Sequence, residues 1–210
     1  MTRIKICGIT RVQDVQAVAS SGVHALGLVF YEKSPRYVSL QKAAQLVQII
    51  PPFITVAGLF VNAEPAFVRE VLEQVPLNLL QFHGDESPEY CAQFGEPYIK
   101  AIRVKAGVDL LQYAARFQTA QGLLLDAHVD GIEGGTGTTF DWTLIPKHLP
   151  LPLILSGGLD VGNVGEAIKL VQPYAVDVSS GVEASKGIKD AVKITAFINE
   201  VNNIDLQLSR

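Results

Sequence analysis

The chain has 210 residues, 48% of them hydrophobic and 18% charged, with a formal net charge of −4. That length suits one domain with a large core, and the mildly acidic balance argues against a nucleic-acid binder or a binder of acidic membranes. No apolar run approaches the roughly 18 residues of a membrane span, no signal-peptide pattern precedes the first strand, and two cysteines make no disulfide framework, so a cytoplasmic protein is expected.

The first predicted strand is Arg3-Ile4-Lys5-Ile6-Cys7, broken by Gly8. Strand side chains alternate, so Ile4 and Ile6 face one way and Lys5 and Cys7 the other. Two isoleucines ask for a helical cover; a lysine beside a thiol is not ordinary core. Further apolar runs begin near Ala25, Ile54, Leu77, Tyr98, Gly122, Pro152 and Tyr174, at spacings of 21 to 30 residues. Helical patterns lie between them. The first covers residues 14–21. The second opens on Ser39 and stops at Pro51-Pro52. The third starts at Glu64-Pro65 and carries Phe67, Val68, Val71 and Leu72 on one stripe. The fourth starts at Ser87-Pro88, the fifth covers about 108–117, and a short sixth begins near Asp141. The seventh runs over about 162–171 and the eighth over 190–201. Strand then helix, eight times, predicts a parallel α/β fold: one (β/α)8 TIM barrel spanning 1–210. A doubly wound sheet would carry a Gly-rich turn after the first strand, and Gly8-Ile9-Thr10 is no dinucleotide fingerprint. The tail from 203 to 210 is expected to fray.

The predicted strand ends carry Cys7, Phe30, Asn62, Gln81 with His83, Arg103, Asp126, Ser156, and Asp177 with Ser179. In a barrel these converge on one mouth, where such folds do chemistry. Leu123-Leu124-Leu125 ends abruptly in Asp126. A lone aspartate there is most often a helix cap or a loop ion pair. With Cys7 at a matching position, a base and an acid across one pocket become the stronger reading. A free cysteine is often only a small buried hydrophobe, but Lys5 shares its face, and a nearby cation lowers a thiol pKa. Asp177 is the natural interior partner for Lys5, because the eighth strand of a closed barrel neighbours the first.

Ser156-Gly157-Gly158-Leu159 and Ser179-Ser180-Gly181-Val182-Glu183 follow the last two strands. Small residues there let backbone N–H groups approach an anion, which points to a phosphorylated ligand. Glu133-Gly134-Gly135-Thr136-Gly137 reads equally as a lid near Asp126 or as a surface turn. Arg36, after Ser34-Pro35, can fork onto a carboxylate or simply be solvated. Trp142 and Cys91 read as packing, His24 and His128 as surface or core. The histidines show no metal-ligand spacing, so no metal is expected.

Taken in order, Lys5-Ile6-Cys7-Gly8-Ile9-Thr10, Ser34-Pro35-Arg36, Gly58-Leu59-Phe60-Val61-Asn62, Gln81-Phe82-His83-Gly84, Leu125-Asp126, Gly134-Gly135-Thr136-Gly137, Phe140-Asp141-Trp142, Ser156-Gly157-Gly158-Leu159 and Asp177-Val178-Ser179-Ser180-Gly181-Val182-Glu183 resemble the phosphoribosylanthranilate isomerase family of tryptophan biosynthesis over nearly the whole chain. Phe82 stands where that family usually has leucine, Ser156 where alanine is common, and Lys186 where a proline often precedes the glycine. The resemblance implies a cofactor-free Amadori rearrangement of a phosphoribosyl-anthranilate. It assigns Cys7 as general base and Asp126 as general acid. Arg36 would hold the anthranilate carboxylate, His83 would line the anthranilate side, and Asp177 would contact ribose hydroxyls or position Lys5. Gly157, Gly158, Ser180 and Gly181 would hold the phosphate. The implied partner is a small phosphorylated molecule, with the protein a monomer or homodimer. Two alternatives stay open: another phospho-sugar barrel enzyme, such as a two-aspartate isomerase or a metal-dependent epimerase, and a non-catalytic phospho-ligand binder. Cys7 in place of an aspartate, the scattered histidines, and the intact acid–base pair argue against them in turn.

Overall fold

A computed structural model describes residues 1–105, 107–127 and 139–209. Eight parallel strands close into a barrel: β1 (Arg3–Cys7), β2 (Ala25–Val29), β3 (Thr55–Phe60), β4 (Leu79–Phe82), β5 (Tyr98–Val104), β6 (Gly122–Ala127), β7 (Leu153–Leu155) and β8 (Ala175–Val178). Each pairs with the next, and β8 returns to β1 with Asp177 opposite Lys5. Closure removes the sheet edges that would otherwise leave backbone groups unpaired.

The outer layer holds α1 (Val12–Ala19), α2 (Leu40–Val47), α3 (Pro65–Gln74), α4 (Pro88–Ala92), α5 (Leu110–Arg116), α6 (Val164–Val171) and α7 (Ala191–Leu208). Their starts follow capping chemistry. Ser39, Ser87, Asp109 and Asp190 accept hydrogen bonds from first-turn N–H groups, and Pro65 and Pro88 open α3 and α4 where a missing N–H costs nothing. The expected helix near Asp141 is a single 3-10 turn, Trp142–Leu144, capped by the Asp141 side chain. After β8 come another 3-10 turn (Ser180–Val182) and a small antiparallel hairpin, β9 (Glu183–Ser185) with β10 (Ile188–Lys189), which the eightfold pattern did not predict.

The expected fraying of the tail is corrected by α7, which continues through 203 to Leu208. Two contacts hold it. Ile204 is buried in the core, and the Asp205 carboxylate accepts from the Thr2 hydroxyl at 2.7 Å. A polar-looking tail is thereby tied to the start of the chain.

Alternation along the strands divides the core in two. Ile4, Ile6, Leu26 and Leu28 face outward and are buried with Val15, Val18 and Leu46 of the helices. Ile99, Ala101, Leu124, Ile154 and Ala175 face inward and plug the barrel, with Leu79 packed beside them. Each large aliphatic buried in this way contributes roughly 1.5–3 kcal/mol. Phe82, at the family's usual leucine position, meets the rings of Phe60, Tyr90, Phe94 and Tyr98 at centroid distances of 5.6 to 6.2 Å. The larger ring therefore fills a space that α4 and its neighbours line with aromatics.

Candidate active site

A cavity of about 400 Å³ opens at the C-terminal ends of the strands. Cys7, Arg36, Gln81, His83, Asp126, Ser156, Gly157, Gly158, Asp177, Ser179 and Ser180 line it together. Phe30 and Asn62 do not, because alternation turns them outward. Phe30 stacks on Phe60 with centroids 5.3 Å apart. Asn62 ties down a loop: its N–H donates to Glu86 at 2.8 Å, and its side-chain oxygen accepts from the Asp85 N–H at 2.7 Å. The inward places go to the residues just before them, Val29 and Val61, and to Leu59. Gly181 also stands outside the lining. A Cβ there would lie 2.0 Å from the Leu159 carbonyl oxygen, so Gly181 allows the last two βα loops to touch. The stretch from Glu133 to Gly137, and His128, fall outside the described residues.

The family model described as N-(5'phosphoribosyl)anthranilate (PRA) isomerase matches residues 4–200. The chain belongs to this isomerase family. The N-(5'-phosphoribosyl)anthranilate isomerase of Thiobacillus denitrificans is 62% identical over 198 residues, covering 94% of this chain and 97% of that relative. The crystal structure of phosphoribosyl anthranilate isomerase from Thermotoga maritima superposes with a TM-score of 0.87 at 41% identity, covering 97% of this chain and all of the other. A phosphoribosyl anthranilate isomerase in complex with reduced 1-(o-carboxyphenylamino)-1-deoxyribulose 5-phosphate superposes with a TM-score of 0.84 at 40% identity over 97% of this chain. The chain is thus an isomerase of tryptophan biosynthesis built on a TIM barrel. Among its described residues no helix is long and apolar enough to cross a membrane.

In this isomerase the interior ion pair forms as strand adjacency requires: Lys5 Nζ donates to Asp177 Oδ1 at 2.9 Å, both side chains buried. Burial opposes the Lys5 charge, but Asp177 and Cys7 outweigh it and hold the ammonium pKa above its ordinary value. The expected lowering of the Cys7 pKa does not follow. Burial is the largest influence and pushes the thiol up; Lys5 and Lys189 pull it down, Asp177 pushes it up again, and the net shift is upward. The lysine is present, but its field is shared with the carboxylate it pairs with.

Asp126 is fixed at both oxygens. Oδ1 accepts from the Ala127 N–H at 3.0 Å, and Oδ2 lies 3.0 Å from His83 Nε2. His83 Nδ1 in turn lies 3.1 Å from Gln81 Nε2, while Gln81 Oε1 is buried without a partner. Gly157, at φ +84°, packs directly on this group; a Cβ there would stand 2.5 Å from the Ala127 nitrogen and 3.0 Å from Asp126 Oδ1. The Asn163 amide donates to the Gly158 carbonyl at 2.8 Å, which fixes the orientation of that loop.

Sequence reasoning missed three participants. Gly27 leaves room for the thiol. Glu183 forks onto Arg36, with Nε–Oε1 at 2.7 Å and Nη2–Oε2 at 2.9 Å, so Arg36 is buried rather than solvated. Lys189 donates to the same Glu183 at 2.9 Å. Glu183 belonged to a quoted motif but was given no role; what sets it against Lys189 is the β9–β10 hairpin. Cys91 is buried core, its thiol pushed up to about 12 by burial. His24 caps the sheet instead, its Nδ1 accepting from the Ile4 N–H at 3.1 Å.

Proposed function

We propose that the chain catalyses the Amadori rearrangement of N-(5-phosphoribosyl)anthranilate to 1-(2-carboxyphenylamino)-1-deoxyribulose 5-phosphate, with Asp126 as general acid and Cys7 as general base. The observation that carries the reading is one cavity lined by a thiol, two carboxyls, a guanidinium and small residues of the loops after β7 and β8. The reaction needs one acid, one base and an anion grip at each end of the substrate.

Asp126 protonates the ribose ring oxygen, and the C1–O bond breaks to give a cationic Schiff base. Cys7 then takes the proton from C2, leaving an enolamine that tautomerises to the ketone. In the free pocket burial keeps the thiol protonated. Opening the ring places a cation beside it, which favours release of the thiol proton to water in the open cavity, and the resulting thiolate accepts the C2 proton. The Gln81–His83 pair suits both states of Asp126. With Gln81 Nε2 donating to Nδ1, the His83 Nε2–H donates to the carboxylate. With the amide reversed, Gln81 Oε1 accepts from Nδ1–H and Nε2 accepts the carboxyl proton.

Arg36 holds the anthranilate carboxylate, with His83 on the ring side. Asp177 holds Lys5 and is within the same cavity as the ribose hydroxyls would be. Gly157, Gly158 and Ser180 hold the phosphate, with Gly181 shaping their loop. The deciding assay is the fluorescence decay of freshly prepared phosphoribosylanthranilate with purified protein. Decay beyond the uncatalysed rate, lost in Cys7→Ala and Asp126→Asn, supports the assignment. Full decay rates in both variants would move the chemistry elsewhere.

A further inference from the structure

The hairpin β9–β10 lies outside the barrel, yet it places two buried charges against Arg36 and Ser179, which line the cavity. Its register sets Lys189 directly opposite Glu183. Glu183 is 7% exposed and Lys189 5%. Glu183 takes the Nε and Nη2 edge of Arg36 at 2.7 and 2.9 Å, and its Oε1 also accepts from Lys189 Nζ at 2.9 Å. Lys189 donates further to the Ser179 carbonyl at 2.9 Å, and the Ser179 hydroxyl donates to the Cys7 carbonyl at 3.0 Å. The Lys193 ammonium fixes the Glu183 backbone, donating to its carbonyl at 2.8 Å. On the other side Arg36 lies on Gly8, where a Cβ would meet its Cδ at 2.5 Å.

A guanidinium offers two forked edges to carboxylates, one through Nε and Nη2 and one through Nη1 and Nη2. The first is filled from within the protein. Nη1 makes no hydrogen bond among the described residues, and Arg36 is one of the residues that line the cavity. We infer that Glu183 is a positioning residue for Arg36, with Lys189 as its counter-ion. It turns the Nη1–Nη2 edge toward the cavity, so that a ligand carboxylate is gripped end-on. This rests on the reading of Arg36 as the carboxylate grip.

Charge and geometry predict opposite outcomes when Glu183 is neutralised. Removing an anion beside Arg36 raises the local positive potential and, on charge alone, would tighten an anionic ligand. Loosening the fork costs the aligned pair of charge-assisted bonds and weakens it. The test measures dissociation constants of a reduced, ring-opened product analogue and of the same analogue lacking its aryl carboxylate, with KM and kcat alongside. Glu183→Gln should weaken the carboxylate-bearing analogue by about tenfold or more, the scale of one charge-assisted bond, and raise KM more than it lowers kcat. It should leave the carboxylate-free analogue unchanged. Glu183→Asp keeps the charge but shortens the reach, and should show the same selective loss if Glu183→Gln folds poorly. Adding Glu183→Gln to Arg36→Ala should cost nothing more, since the first acts through the second. Unchanged or tighter binding in folded Glu183→Gln or Glu183→Asp, or an additive double variant, overturns the inference. If Arg36→Ala itself fails to distinguish the two analogues, the underlying assignment of Arg36 fails instead.

Discussion

Gly27 faces Cys7 across the β1–β2 pairing, and a Cβ on Gly27 would stand 2.7 Å from the Cys7 Sγ. The strand therefore spares a side chain where the thiol needs space. Gly27 has no positive φ, so alanine acts through its crowding of Cys7, whose Cα would also lie 3.2 Å from the new Cβ. Gly27→Ala should fold and still bind the ring-opened product analogue, yet lose turnover. A misplacement of this size costs on the order of 10²-fold. Steady-state kinetics checks it: wild-type kcat in Gly27→Ala would show that the thiol has room to move without loss.

The ionisation of Cys7 can be read directly. Burial raises the thiol above its ordinary value of 9.0, and Lys5 restrains the rise. The thiolate ultraviolet absorbance of wild type minus Cys7→Ala should therefore appear with a midpoint above pH 9.0 in the ligand-free protein. Lys5→Met should move the midpoint higher still, because it removes a cation and leaves the Asp177 carboxylate unopposed. A midpoint below 9.0 in wild type would contradict the balance of burial over charge.

Glu183 gives the fold an acid-labile contact. Burial pushes its carboxyl pKa up, but Arg36 and Lys189 together outweigh burial and hold it below the ordinary 4.5. A depressed carboxyl stabilises the fold above its unfolded value, and that contribution is lost as pH falls through the folded value. At neutral pH Glu183→Gln should cost about 3–5 kcal/mol, the scale for removing one partner of a buried ion pair. Urea unfolding at a series of pH values should show the gap between wild type and variant narrowing below 4.5. A gap that stays constant to about pH 3 would mean Glu183 contributes no pH-dependent stability.

The barrel itself was legible because its signal is periodic. Eight apolar runs set the strands, and the predicted starts fall within two residues of the observed ones. Cys7, Asp126, His83 and Asp177 were legible because strand ends converge in a closed barrel whatever the details. Errors arose where a side chain's partner came from far along the chain. Arg36 stayed open between a carboxylate fork and solvent because its protein partner, Glu183, lies 147 residues away. The tail looked loose because Thr2, which holds it, lies 203 residues from Asp205. Phe30 and Asn62 were misplaced by one residue, which in a strand is enough to reverse the side. The Cys7 titration was misjudged because a sequence places Lys5 beside the thiol but does not weigh burial against charge.

Phe82 tests whether the family's usual leucine would serve here. Four aromatic rings surround it, and none of its surface is exposed. Phe82→Leu loses the ring contacts and leaves a gap that Tyr90 and Phe94 fill only in part. A cost of about 1–2 kcal/mol is expected in chemical denaturation, at or beyond the upper end for a well-matched hydrophobic swap. Equal stability would show that the aromatic cluster repacks freely.

Asp126→Asn separates the acid from the shape of its pocket. The asparagine oxygen can still accept from the Ala127 N–H, and its amide can donate to His83 Nε2. The Gln81 amide reverses to accept from His83 Nδ1–H, so the buried network stays satisfied in the variant. What is lost is a proton that can pass to the ribose ring oxygen. Ring opening is the first step, so its failure stalls everything after it, including proton removal by Cys7. Turnover should fall by on the order of 10²–10⁴-fold. A reduced, already ring-opened product analogue needs no acid, and should bind Asp126→Asn nearly as tightly as wild type. Weak analogue binding together with lost turnover would make Asp126 a binding residue. Near-normal turnover would place the acid elsewhere, and His83, 3.0 Å from the carboxylate and lining the same cavity, is the group to substitute next.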